Sequence, residues 1–162
     1  MNDAAWEITH SVYANATPAG AWSYMTNVAN WDDPPATFEL DGRFAVGSRG
    51  TTRMPGQEPW HWRVREVSPM KSYTIEMALD GAAISFEWRF DGLADGGTQL
   101  TQQIVLNGEN AGAYVAQVQL AFTPNLAAGM NKVAAAMERA EASVSDASGQ
   151  PTTGELRGRS RA

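Results

Sequence analysis

The apolar positions of this chain follow two periods in turn, first two and later between three and four. Residues 6–14, WEITHSVYA, alternate: Trp6, Ile8, His10, Val12 and Ala14 share one face, and Glu7, Thr9, Ser11 and Tyr13 the other. A period of two predicts a strand, with the first set facing inward. Thr17 and Pro18 read as N-cap and first helical residue of a short helix reaching about Thr26, with Trp22 and Met25 buried. Residues 28–35, VANWDDPP, allow one helical turn and then a loop, because two prolines forbid continuation.

From Thr37 the alternation returns and persists to Leu106. Strands are predicted over 37–41, 48–54, 60–67, 72–79, 82–91 and 98–106. Asp80-Gly81 is a two-residue hairpin signal. The sharpest split sets Ile84, Phe86, Trp88 and Phe90 against Ser85, Glu87, Arg89 and Asp91. On 60–67, Trp60, Trp62 and Val64 oppose His61, Arg63 and Arg65. Connections this short require antiparallel pairing, since a parallel crossover needs a dozen or more residues.

The period then changes. Between Asn110 and Ser145 the residues Val115, Val118, Phe122, Leu126, Met130, Val133 and Met137 recur at steps of three or four, one stripe of an amphipathic helix. Pro124 either kinks this helix or restarts it with Thr123 as cap; the expectation is a kink. Residues 125–144 alone would span roughly 30 Å. Together these elements predict an α+β architecture, a curved antiparallel sheet of about seven strands wrapped around a long C-terminal helix, with two short helices after the first strand. One domain over residues 1–145 is expected. Residues 146–162, rich in Gly, Ser, Thr and Arg without apolar periodicity, are expected to form a disordered tail.

Composition narrows the function classes. A net charge of −6 lacks the basic footprint of a nucleic-acid binder. The absence of cysteine excludes disulfides and thiolate chemistry and fits a reducing, cytoplasmic location. Residues 1–10 carry neither a basic nor an apolar signal region, and no apolar run is long enough to span a membrane. With two histidines on opposite strand faces, no metal site is expected, and no cofactor fingerprint is present.

Four stretches carry a family resemblance. They are SVYANATPAGAWSYMTNVANW, with Trp22 and Trp31 nine residues apart; FELDGRFAVGSRGTTRM; GGTQLTQQI; and the closing helix with Glu138-Arg139-Ala140-Glu141. In this order they resemble the START/Bet v 1-like (SRPBCC) superfamily, with the polyketide cyclase/dehydrase-like group closest. The resemblance covers about residues 6–145. It implies a helix-grip fold holding a small hydrophobic or aromatic molecule between sheet and helix, as a carrier or sensor. A cyclase or dehydratase using the same cavity is the alternative. A co-chaperone-like module ranks last, because the outward faces read as polar and mixed. The glycine-rich loop of the plant-allergen branch and the Cys and His ligands of a Rieske domain are absent. A homodimer is compatible with the chain.

On that reading His10, inward among apolar residues, is either a satisfied core histidine, the commoner case, or a general acid or base. Gln102, polar on the apolar face of the last strand, either orients a ligand or bonds to nearby backbone. Trp62, Tyr73, Phe86 and Trp88 are inward, as core or as pocket lining. Phe122, Leu126 and Met130 would form the helical wall, with Met130 suited to adapt to a ligand. Trp31 joins this ligand set, since the resemblance sets its loop near a cavity entrance. Asp32 and Asp33 read as turn chemistry.

Overall fold

The computed structural model describes residues 4–148, with side chains described as far as Ser143. Seven strands form one antiparallel sheet: β1 (Trp6–Ala14), β2 (Thr37–Asp41), β3 (Arg49–Arg53), β4 (Trp60–Ser68), β5 (Ser72–Leu79), β6 (Ala82–Gly92) and β7 (Thr98–Asn107). Their order across the sheet is β1-β7-β6-β5-β4-β3-β2. The first two strands therefore form opposite edges. The segment joining them holds helix α1 (Pro18–Met25) and a 3₁₀ turn, Val28–Asn30. After β7 come a second 3₁₀ turn (Ala111–Tyr114), α2 (Val115–Phe122) and α3 (Leu126–Ser148). This is the antiparallel sheet with a long C-terminal helix expected from the two periods, and the helix-grip arrangement that the resemblance implies.

Local chemistry sets the boundaries. The Thr17 hydroxyl accepts from the Gly20 N–H at 3.0 Å, capping α1 behind Pro18. Asp80-Gly81 closes the β5–β6 hairpin with Gly81 at φ +75°, where a side chain would be strained. In β4 the register slips between Val64 and Glu66, so Arg65 is an extra residue. Val67 then returns to the inner face opposite Tyr73, a shift that strict alternation does not predict. Arg63 and Arg65 both reach Glu76, at 2.8 and 3.2 Å.

The C-terminal stripe is interrupted where a kink was expected. Thr123 still donates to Gln119 at 3.0 Å, and Gly129 to Asn125 at 2.9 Å. Pro124 has no N–H to continue the ladder between them, so residues 123–125 form an elbow separating α2 from α3. All seven stripe residues are nonetheless buried or half-buried. The last helix also runs to Ser148, three residues past the expected domain end. The remainder of the expected tail, 149–162, lies outside the described residues.

The far half of α3 is held by its glutamates. Glu138 accepts from the Asn15 N–H at 2.8 Å; Glu141 accepts from the Thr17 N–H at 3.1 Å and from its hydroxyl at 2.9 Å. A Cβ at Gly20 would collide with the Glu141 carboxylate, so the glycine makes room for this clamp. Glu141→Ala is expected to cost about 1.5 kcal/mol, the low end of the range for hydrogen bonds to a charged group because these contacts are exposed, measured by urea unfolding.

Partial burial pushes the Glu76 carboxyl up, but the hydrogen bonds and charges of Arg63 and Arg65 outweigh it and hold it below its ordinary 4.5. The native state therefore releases this proton more readily than the unfolded chain. The stability so gained is present above the unfolded carboxylate value and is lost as pH falls through the lower native value. Glu76→Gln should flatten the acid side of the stability profile, followed by thermal melts from neutral pH downward.

Candidate functional site

The inner face of the sheet carries two apolar clusters. One contains Leu100, Phe90, Tyr73, Trp88, Met130, Ala134 and Met137, with Val12 and Trp22 packed against it. The other contains Ile84, Ile104, Leu106 and Val118, with Ile8 and Phe122 packed against it. Phe86 and Leu126 touch both. Register shows what lies between. On β1, His10 separates Ile8 from Val12; on β7, Gln102 separates Ile104 from Leu100; and His10 is the direct partner of Gln102. Gln102 in turn pairs with Trp88, and Trp88 with Tyr73. The four side chains form one cross-strand row, a seam whose His10 and Gln102 lie between the two patches and whose Trp88 and Tyr73 belong to the first of them.

Exposure changes along the row. His10 and Gln102, near the β1 edge, are half-buried; Trp88 and Tyr73, further in, are 9% and 1% exposed. Among the described residues none of the four side chains makes a hydrogen bond. That contrasts with the indoles of Trp31 and Trp62, which donate to the Met25 carbonyl at 2.8 Å and the Thr52 hydroxyl at 3.0 Å. Buried polar groups nearly always find a partner in the protein or in ordered water, and among the described residues no protein group serves these four. Burial pushes the Tyr73 phenol well above its ordinary value, so it remains a donor at physiological pH. Trp22, Phe44 and Phe90 surround that ring at 6.1, 5.0 and 6.0 Å.

The roof comes from the C-terminal helices. Phe122 on α2 meets Phe86 edge-on at 5.4 Å, Leu126 bridges the two clusters, and Met130 is 1% exposed. The site residues expected from the sequence thus fall into two groups. His10, Gln102, Trp88, Tyr73, Phe86, Phe122, Leu126 and Met130 belong to the seam and its roof. Trp31 and Trp62 sit in the part of the first cluster toward β2 and β3, stacked on each other at 5.4 Å with Phe38 against Trp31. Trp62 packs over Gly50, where any side chain would overlap the indole. A lone glycine inside a strand was the sequence signal for that close approach. His61 is exposed, as expected, with Nδ1 3.4 Å from the Thr51 hydroxyl. Asp32 ties its loop to α3 through Lys132, whose Nζ lies 3.3 Å from the Asp32 carbonyl and 3.8 Å from its carboxylate.

Two further clefts open near the β2 edge. One, of about 660 Å³, is lined by residues of β2, β3 and β4, among them Glu39, Asp41, Arg49 and His61. The other, of about 440 Å³, lies between the first 3₁₀ turn and the β2–β3 loop. Neither is lined by a residue of α2 or α3. Sequence reasoning missed both, because each depends on how distant segments meet. Among the described residues there is no cluster of side chains suited to a metal ion, and no helix long and apolar enough to cross a membrane.

Residues 5–138 match the family described as "Polyketide cyclase / dehydrase and lipid transport". No curated protein matches the sequence. Among solved structures, a norcoclaurine synthase point mutant from Thalictrum flavum, in complex with a transition-state analogue, superposes with a TM-score of 0.67 at 13% identity, covering 90% of this chain and 98% of that one. The Zhui aromatase/cyclase from Streptomyces gives a TM-score of 0.63 at 18% identity over 83% and 94%. A Mesorhizobium loti protein, MLL2253, gives 0.64 at 14% over 83% and 98%. At these identities the likeness is one of fold.

Proposed function

Because this chain belongs to the polyketide cyclase/dehydrase and lipid transport family, we propose that it binds a small hydrophobic or aromatic molecule in the seam between sheet and C-terminal helices. The observation that carries this reading is the row His10, Gln102, Trp88 and Tyr73, whose hydrogen-bonding groups are uncommitted amid apolar walls. Burial of the ligand's apolar area drives binding at about 25 cal/mol per Å². The four polar groups orient it, as a few convergent groups do in apolar pockets. Leu126 and Met130 fill the space above the row, so the ligand enters by displacing them; the unbranched thioether of Met130 yields readily. The role fitting such a site is that of a carrier or sensor.

Native mass spectrometry of freshly purified protein tests this directly, and a co-purified apolar molecule is the expected result. A broad panel of apolar and aromatic ligands producing no thermal shift would count against it. Tyr73→Phe separates apo stability from binding. Removing a buried hydroxyl that has no partner should leave the free protein as stable or up to about 1 kcal/mol more stable, while weakening a ligand that accepts from the phenol.

A second reading draws on His10 itself. Its imidazole is reachable from solvent, uncommitted, and opposite a primary amide, which suits a proton carrier in an aldol closure or water loss of a polyketide-like chain. Holding such a chain in register lowers the barrier by orientation alone. Activity that survives both His10→Ala and His10→Gln would remove His10 from that chemistry and leave the binding reading in place.

A further inference from the structure

The 440 Å³ cleft at the β2 edge has a composition of its own. Its walls are Val28 from the 3₁₀ turn, Phe38 and Leu40 from β2, and Phe44 from the β2–β3 loop. Its polar side chains are mostly committed: the Thr26 hydroxyl donates to the Trp22 carbonyl at 2.8 Å, and Asn27 Oδ1 accepts from the Ala29 N–H at 3.1 Å. The exception is Arg43, whose guanidinium makes neither an ion pair nor a hydrogen bond among the described residues. No acidic residue lines the cleft. The larger neighbouring cleft differs, since Glu39 and Asp41 face Arg49 and His61 there and no one sign of charge prevails.

We propose that this cleft is a separate binding site for an amphipathic carboxylic acid, its apolar body against Phe38, Leu40 and Phe44 and its carboxylate on Arg43. The planar guanidinium fork matches a carboxylate in a bidentate arrangement. The volume lies in the range of small-molecule sites and accommodates a medium-chain acid. An acid is selected over the corresponding alcohol because Arg43 offers only donors and a fixed positive charge. No lining residue is shared with the seam under the helices, and the two places meet through Phe44, which touches the Tyr73 ring at 5.0 Å.

The test compares decanoate with 1-decanol on the full chain at neutral pH, reading tryptophan fluorescence and backbone amide shifts. Trp31 lies 5.6 Å from Phe38 and serves as reporter. Decanoate should bind about tenfold more tightly than decanol, the factor one charge-assisted contact supplies, and should move the amides of Thr26–Ala29 and Gly42–Phe44. Arg43→Gln should abolish the difference without changing the melting temperature, because Arg43 is exposed. Arg53→Gln, which removes an arginine outside the cleft, should preserve it. Equal affinity for acid and alcohol, an unaffected Arg43→Gln variant, no binding of either probe, or shifts confined to His10 and Gln102 would each overturn the assignment. The last result would support the seam while removing the cleft.

Discussion

Trp62→Ala is expected to lower the unfolding free energy by about 3–5 kcal/mol, measured by urea unfolding at neutral pH. Trp62 is 5% exposed, so truncation removes its buried area and leaves a cavity beside Val64 and Trp31. It also strands the Thr52 hydroxyl, itself 9% exposed, which now accepts from the indole. Gly50 compounds the loss, because the backbone beneath the ring has no side chain to fall into the space. Trp60, two residues earlier on the same strand but 42% exposed, is the control. Its replacement should cost about 1 kcal/mol or less. Equal losses at the two positions would mean that the stacked indoles of Trp31 and Trp62 are not an anchor of the fold.

Met130→Ala should cost about 2–5 kcal/mol in the free protein, since Met130 is 1% exposed and forms the helical roof of the seam. If the seam is a ligand site, part of that loss is recoverable. An apolar molecule that fills the void stabilises the variant by mass action, about 2.7 kcal/mol at one hundred times its dissociation constant. The same molecule should bind the variant more tightly than the parent, because nothing must be displaced. Melting both proteins against one panel of apolar ligands checks this. A variant that loses stability and recovers none with any of them would make Met130 plain core.

Much of the frame was legible along the chain because it rests on local periodicity. Each strand expected from alternation is present with its ends within a residue or so. The Thr17 cap and the Asp80-Gly81 hairpin form as their side-chain chemistry dictates. Positions governed by distant neighbours read less well. The extra residue in β4 accompanies the shared contact of Arg63 and Arg65 with Glu76, which no local pattern announces. The elbow at 123–125 was visible as Pro124, but whether the helix would bend or part was not. Glu138 and Glu141 stood out only as a family trait. Their work, capping the β1–α1 junction from more than a hundred residues away, is a tertiary contact.

Which residues face inward was legible along the chain wherever alternation runs unbroken, as it does not past the bulge in β4, because the period assigns each side chain to a side once the element exists. Alternation therefore placed His10, Gln102, Trp88 and Tyr73 on the apolar face. That they are neighbours is a matter of the assembled sheet. Adjacency across strands depends on register, and register is settled by hairpin closure and by which slip buries the most apolar surface. The same applies to the cleft at Arg43, where the 3₁₀ turn meets the β2–β3 loop. Alternation supplies the face and the fold supplies the company each residue keeps there, so the candidate chemistry of this protein is a property of the assembled sheet.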